Sequence, residues 1–572
     1  MAMLTVLITL LALPAALVLW NAQSLAHNRA KAKATGLPYL ERWISPINPF
    51  WLLYGSSFVR LCERFGIASE NLSRIYSYGW EANSRAEVHE FANSDVVLVI
   101  HPGGLQLCVA DAEIIYDILQ RRTDFRRNME EMAVLNVYGK NLSTTDDQEW
   151  QRHRKMTGVT FTEKNNELVW SQSLVQAKGM LEYWTKRSQQ PIRSTSDDTK
   201  IFTLNVLAAA LFNKVYSFEG QAEESSNRHI DDKSYMYRAS LSTILSSIIQ
   251  IFILGEEGLK ARWTPKSWKG AAEAMATFRS YLLGLMDEER MYMQHGQTDR
   301  QHLVARLVRA CEESDDGKSL DESRKVNMTE EEIISNLFVY AFAGNDTTAI
   351  ALTNLITHLS ANPQTQDWLA EELQHYLPDS DPESWSYDNL KRLKRCGAVI
   401  YESLRICHPL SQLVKTTGPT PQPLVVNGKT YIIPAGTSVH CSLPALHSHP
   451  KYWGKDPLAW NPEQHINSAT HDDKNDSFDA EVLAADTSEH FIPWAWGQRV
   501  CPGKRFSQAE LVAVLAGLFR NWRVEVVPEE GENLDEAQKR AWKTSLKVDH
   551  QGHMLHEMVN PGTVGLRWVR RD

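Results

Sequence analysis

The segment Gly497-Gln498-Arg499-Val500-Cys501-Pro502-Gly503 places a thiol between two glycines, two residues after an arginine. An amphipathic stretch, KRFSQAELVAVLAGLFR, follows directly. A thiolate is both nucleophile and metal ligand, and it persists near neutral pH only beside positive charge, a helix N-terminus or a metal. Arg499 supplies charge, Gly497 and Gly503 let the backbone turn and a bulky group come close, and Pro502 stiffens the exit. The other six cysteines, at 62, 108, 311, 396, 407 and 441, have no such surroundings. Cys501 reads as a ligand; taken by itself the segment also allows a buried structural cysteine.

Three further constellations carry chemistry. Asp346 and Thr347 lie in AGNDTT, inside an apolar helix opened by a capping box from Thr329 to Glu332. A carboxylate on such a helix is costly, and beside a bound group it can relay protons through the hydroxyl. A bent helix with a satisfied polar cluster is the alternative. Glu402 and Arg405 stand one helical turn apart among apolar neighbours, which makes them a scaffold pair. Trp150 and Arg154, four residues apart on one helix face, offer an N–H donor and a cation to a carboxylate. A solvated basic face is the alternative there.

These residues need a scaffold, and the chain is long enough to build one. It has 572 residues, 43% of them hydrophobic, and a formal charge of -10. The acidic balance, with no strong basic stripe, argues against nucleic acid as a main partner. Seven cysteines without paired spacing favour a reducing compartment over a disulfide framework and give no support to a zinc site. Apolar residues recur at helical spacing over 114–121, 168–185, 201–213 and 365–376. Residues 424–441 read as a hairpin turning at Asn427-Gly428, and 96–100 with 106–110 as a second small sheet. Acidic stretches near 311–332 and 467–490 read as surface loops. The class is mainly α with minor β.

Residues 1–20 carry no charge and are long enough to span a bilayer as a helix. Arg29, Lys31 and Lys33 follow them, so the positive-inside rule leaves the body cytosolic. A cleaved signal peptide would need a charged segment first, and none is present. The sequons at Asn71, Asn141, Asn327, Asn345 and Asn475 are then chance matches. Residues 21–50, basic and then proline-rich, read as a linker, and 51–572 as one catalytic domain.

In order along the chain, GKNLSTTDDQEWQRHRK, AGNDTT, ESLR, HSHPKYWGKDPLAWNPE and WGQRVCPG resemble the cytochrome P450 superfamily. The resemblance covers nearly the whole chain after residue 20. It implies haem b between the long central helix and the cysteine loop, with Cys501 as axial thiolate. It places Arg499, Trp150 and Arg154 at the haem propionates, with Lys415 where the family usually has arginine. Asp346 and Thr347 match its acid–alcohol pair, and Glu402 and Arg405 its helix pair beneath the haem. Two positions depart from the pattern. Trp494 replaces a phenylalanine, and its indole N–H is positioned in sequence to tune the iron. Gln464 replaces an arginine that normally closes the Glu402–Arg405 scaffold, and the adjacent His465 is the candidate substitute.

The resemblance implies a monooxygenase that inserts one atom of O2 into an apolar small molecule. Electrons would come from NADPH through a cytochrome reductase, with cytochrome b5 as an auxiliary donor. Arg152 and Lys155 are candidate docking residues for the reductase. The expected location is the endoplasmic reticulum membrane, single-pass, with the catalytic domain facing the cytosol. Pocket walls are expected from 126–138, Phe338, Phe342, Ala343, and 410–414 with Leu413 and Val414. The general style resembles fungal members acting on terpenoids, polyketides or alkaloids. A haem-thiolate isomerase, dehydratase or peroxide-dependent enzyme is the rival reading, and a non-catalytic haem protein a more distant one.

Overall fold

In a computed structural model the described residues are 2–67, 75–76, 80–83, 85–158, 160–187, 190–220, 233–297, 300, 302–315, 328–379, 381–468, 478–549 and 555–571, with side chains described from 15 onward. The sequons at Asn71, Asn327 and Asn475 lie outside them. The chain divides into two compact units. The first comprises Met1–Glu131, Ser411–Leu458 and Ser488–Gln498; the second comprises Met132–Leu410, Ala459–Thr487 and Arg499–Asp572.

The first unit is built on a six-stranded sheet. In chain order its strands are β1 (Tyr39–Glu41), β2 (Val96–His101), β3 (Gly104–Val109), β4 (Arg126–Arg127), β5 (Gln412–Thr416) and β8 (Ser438–Ser442). They are ordered β1-β2-β3-β8-β5-β4. The apolar run of β2 is buried on both faces, as unbroken β-branched runs predict. Val96, Leu98 and Ile100 join a core with Ala32, Leu107 and Ile118, while Val97 and Val99 pack with Trp80 and Val88. β6 (Gln422–Val426) and β7 (Lys429–Ile433) form the hairpin at Asn427-Gly428, both residues at positive φ. The expected third part of that hairpin, β8, instead pairs with β3 and β5, while β6 and β7 form a two-stranded sheet of their own.

Two helices precede β2. Helix α1 runs from Ala2 to Thr35 without a break, so residues 21–35, read above as linker, are helical. Leu25, Asn28 and Ala32 form its buried stripe, and Gly36 ends it at φ 77. Helix α2 (Pro49–Arg64) starts at the end of the segment read above as linker. Asn48 caps it by accepting from the Trp51 amide, and proline suits the first helical position. Among the described residues no single helix is long and apolar enough to cross a membrane. The side chains of residues 1–14 lie outside that description.

The second unit packs around a 32-residue helix. Its main helices are α3 (Asp147–Gly158), α4 (Glu163–Lys186), α5 (Thr195–Phe212), α6 (Glu330–Ala361), α7 (Lys394–Ile406) and α8 (Lys504–Phe519). Thr329 and Glu332 form both halves of the expected capping box on α6. Gly344 admits close packing, since a Cβ there would lie 2.3 Å from Leu207 of α5. The hydrogen bonds Thr203–Asn345 (2.7 Å) and Thr199–Thr353 (2.8 Å) join the same two helices. The expected acidic loops shrink. Residues 311–315 continue a helix from Leu303, and Ile466–Ser468 pairs with Glu481–Leu483 as β9 and β10.

The cap on α6 generates a prediction. Thr329→Ala should cost about 1 kcal/mol, read as faster hydrogen exchange in the first turn of α6 with little change at its centre.

Candidate functional site

Of the seven cysteines only Cys501 is exposed. Its thiol is nevertheless set deep among protein atoms. Burial pushes it up from its ordinary value, while the Gly503 amide and the charges of Arg154 and Lys504 oppose the rise. Cys108 and Cys441, by contrast, are pushed up to about 12 by burial. The thiol is thus walled in yet open, and it lies two residues before Gly503, the N-cap of α8, where the helix dipole favours negative charge. Gly497 needs its glycine, with φ 77. Gly503 does not: its φ is negative, and a Cβ would sit 3.9 Å from the sulfur, an ordinary contact.

Arg499 does not supply the charge that the sequence suggested. Its guanidinium is held by Asp146 (2.7 Å) and the Thr145 carbonyl (3.0 Å), and it stacks over the Trp150 ring at 4.1 Å. That geometry makes it a support for the Trp150 ring. Arg154 is the opposite case. It is half-buried, its charge acts on the Cys501 thiol, and among the described residues it has no hydrogen bond or ion pair. The Trp150 indole N–H likewise has no hydrogen-bond partner among the described residues. An acceptor bearing a carboxylate beside the sulfur would satisfy both groups.

Helix α3, which presents them, is pinned to α6. Asn336 donates to the His153 ring at 2.9 Å and accepts from the Leu142 amide. Tyr340 donates to Thr157 at 2.8 Å, and Arg152 is paired with Glu332. Arg152 is therefore paired with Glu332 and partly exposed, and Lys155 is exposed. Asn141, one of the sequons, is fully buried and bonded to Leu135 and Ser335.

From Ile333 to Ser360, α6 is buried everywhere except at Ala343, Gly344 and Thr347. These three residues lie on one face and make the only window in an otherwise enclosed helix. Thr347 donates to the Ala343 carbonyl at 2.7 Å. Asp346 sits beside the window but is itself buried. Burial pushes its carboxyl up to about 6, against the opposing pull of Lys200 and a hydrogen bond from Asn345 (2.8 Å). Asn345 accepts from Thr203 in turn, so a chain Thr203–Asn345–Asp346 fixes the acid. Asn345 and Thr203 were missed in the sequence because side-chain amides and hydroxyls on separate helices leave no spacing signal.

The expected pocket residues divide. Ala343 is at the window and Phe342 is buried beside it. Phe338 is fully buried in an aromatic cluster with Tyr138 and Phe278, at ring separations of 5.5 and 6.1 Å, so it belongs to the core. Leu413, Val414 and Lys415 lie on β5, and Trp494, buried, lies in segment 488–498; all belong to the first unit.

Glu402 is fully buried and receives every donor it needs. Arg405 gives it two bonds of 2.8 Å, the Asn461 amide one of 2.9 Å, Gln464 one of 2.8 Å and His465 one of 3.0 Å. Arg405 also holds the Ala459 carbonyl at 3.1 Å. Gln464 and His465 together stand where the family's arginine would close this scaffold. Burial alone would raise the Glu402 carboxyl, but the Arg405 and His465 bonds outweigh it and bring it down to about 2.

An open thiol before a helix, an unmatched Trp–Arg pair and an acid–alcohol pair at a helix window fit a propionate-bearing haem and define a haem-thiolate protein. The sequence profile described as Cytochrome P450 matches residues 93–550. The chain belongs to the cytochrome P450 family, and it is a P450 monooxygenase. The cytochrome P450 monooxygenase prx9 of Penicillium rubens is 26% identical, over 93% of this chain and 92% of that protein. A P450 monooxygenase of the phomenoic acid biosynthesis cluster in Leptosphaeria maculans is 25% identical, over 89% and 90%. The crystal structure of the cytochrome P450DA haem domain matches the fold with a TM-score of 0.63 and 16% identity, covering 86% of this chain and 94% of that one.

The Glu402 network generates the next prediction. Arg405→Ala should cost about 3–5 kcal/mol, because it leaves a buried carboxylate short of its main partner. In the native chain the carboxyl is lower than in the unfolded state, so its contribution is complete above the ordinary value of 4.5 and is lost as pH falls toward about 2. Acid titration of unfolding should show that loss in the native protein and a shallower one in Arg405→Ala.

Proposed function

We propose that this enzyme hydroxylates an apolar secondary metabolite, a terpenoid, polyketide or alkaloid, at the window of α6. The observation that carries the reading is the juxtaposition on α6 of one open face, Ala343-Gly344-Thr347, with a buried acid adjusted to about 6. Thiolate-ligated haem supplies the reductive cleavage of dioxygen, with one oxygen atom entering the substrate and the other leaving as water. Cys501 would ligate the iron, and the Gly503 amide, Lys504 and the N-terminus of α8 favour the charged form of its sulfur against the burial that raises it. Trp150 and Arg154 would hold a propionate. Apolar Ala343 leaves room for the substrate, while Thr347 offers its hydroxyl oxygen to a proton from Asp346. Lys200, ion-paired with Glu557 at 3.3 Å, favours the charged form of Asp346 and so keeps its carboxyl from rising further.

The secondary-metabolite reading is supported by the phomenoic acid cluster relative. Electrons would come one at a time from NADPH through a cytochrome reductase, with cytochrome b5 as an auxiliary donor. Residues 1–20 would anchor the chain in the endoplasmic reticulum membrane, with the catalytic body in the cytosol.

The test is spectroscopic and stoichiometric. Reduced enzyme with carbon monoxide should give the red-shifted thiolate band, lost in Cys501→Ala. Turnover should consume NADPH and O2 in equal amounts, and conversion without either would overturn the proposal. Asp346→Asn should lower turnover about a hundredfold. The protonated fraction of Asp346 falls as pH rises through about 6. Turnover limited by proton donation should therefore fall over that range in the native enzyme and be pH-independent there in the variant.

A further inference from the structure

Alternation along the strands gives the six-stranded sheet of the first unit two different faces. Val96, Leu98 and Ile100 of β2, Leu107 of β3 and Val439 of β8 belong to the apolar core. On the other face Val99 is partnered with Gln106, Val97 with Cys108, Gln106 with Ser438 and Cys108 with His440. His101 ends this face on β2. The parallel register of Leu40 with Val99 brings Arg42 beside it, and the Arg42 amide donates to the Ile100 carbonyl at 2.8 Å. Arg42 is 1% exposed and His101 7%. Side chains enclosed to that degree need acceptors for their N–H groups.

At the β8 end of this face the need is met, since Glu131 accepts from Ser438 and contacts the His440 ring at 3.1 Å. At the Arg42 end it is not. Arg42 Nη1 is paired with Glu81, but Nε and Nη2 are buried and have no partner among the described residues. Those two groups form the edge of a guanidinium that grips a carboxylate with parallel bonds. Elsewhere in this chain that edge is filled, by Glu41 on Arg29, Glu481 on Arg395, Glu402 on Arg405 and Glu532 on Arg540. Arg395 also holds a second acid, Glu371, on Nη1 at 2.9 Å, so one guanidinium here accommodates two carboxylates. Arg42 has half of that arrangement.

Two neighbouring groups lack an acceptor as well. His101 Nδ1 accepts the Gly103 amide at 3.1 Å, which puts the ring proton on Nε2, where no described residue takes it. Burial keeps that ring neutral, pushed down to about 4. The Ser45 hydroxyl, buried and without a partner among the described residues, adjoins the ring: a Cβ on Gly103 would lie 2.9 Å from its oxygen and 3.2 Å from His101 Nδ1.

We propose that Arg42, Ser45 and His101 form a binding site for an organic monocarboxylate, whose two oxygens take the Nε and Nη2 edge of Arg42. Glu81 already balances the guanidinium charge, so the site suits one further negative charge shared with neutral donors. A phosphate dianion would bring a second charge beside Glu81 with no cation to meet it. The site lies within the first unit and does not rest on the hydroxylation proposed above.

The test is calorimetric titration of the full haem-loaded chain with sodium hexanoate, hexanol and inorganic phosphate at neutral pH. The reduced carbon monoxide band reports that each variant is folded. Hexanoate should bind the native chain, and hexanol and phosphate should not. Arg42→Lys keeps a cation for Glu81 but has no two-pronged edge, and it should bind hexanoate at least about tenfold more weakly. Glu81→Gln removes the competing acid and should bind it at least about threefold more tightly. Absence of hexanoate binding in the native chain overturns the site. Equal affinity in Arg42→Lys does the same, because the carboxylate is then bound elsewhere. Hexanol or phosphate binding as tightly as hexanoate overturns the ligand class. If Arg42→Lys loses its carbon monoxide band, Glu81→Gln decides, and unchanged affinity there overturns the proposal. The monooxygenase reading stands or falls separately, on the native band and on turnover.

Discussion

A carboxylate that is fully enclosed must be matched donor for donor, and Glu402 shows how much structure that requirement organises. Its two oxygens draw bonds from helix α7 and from residues 461–465, segments far apart in sequence. Arg405, satisfied by the same carboxylate, still reaches the Ala459 carbonyl. Neither charge is stable in the interior alone, and the pair is stable only while the 459–465 segment stays in place. The cost of breaking the network therefore becomes the rigidity of the region.

The same logic, with the opposite outcome, shapes the chemistry. Glu402 is supplied with enough donors to remain ionised, whereas Asp346 receives one amide bond and a more distant lysine, so burial dominates and its carboxyl rises to about 6. Two buried acids in one unit thus take different protonation behaviour from the number of donors each receives. Cys501 lies between these cases. It is desolvated enough to be raised, yet it has an amide and two cations that favour the thiolate. The window at Ala343, Gly344 and Thr347 is where α6 leaves room for another group.

Much of this was readable in the sequence because it is local. Cap residues, helix stripes, the Asn427-Gly428 turn and the ordered motifs depend on neighbours within a few positions. Where the reading failed, the deciding partner was distant. Residues 21–50 looked like a linker, but 21–35 continue α1 against a buried stripe, and Asn48 caps the start of α2. β8 looked like part of its hairpin until β3 and β5 claimed its edges. The acids that hold Arg499 and Arg152, Asp146 and Glu332 respectively, are also partners that spacing along the chain does not show.

By itself, then, the amino-acid order determined which groups are available and roughly where each sits on its element: the thiol before a helix, the acid and alcohol in mid-helix, the Trp–Arg pair on one face. Tertiary structure decided what state those groups are in. Whether an arginine is spent or free, whether an acid is ionised or raised, and whether Gln464 and His465 can close a scaffold all depend on the count of donors and acceptors within about 3 Å. That count is set by residues from other segments, because desolvation and hydrogen bonding act through space and not along the chain.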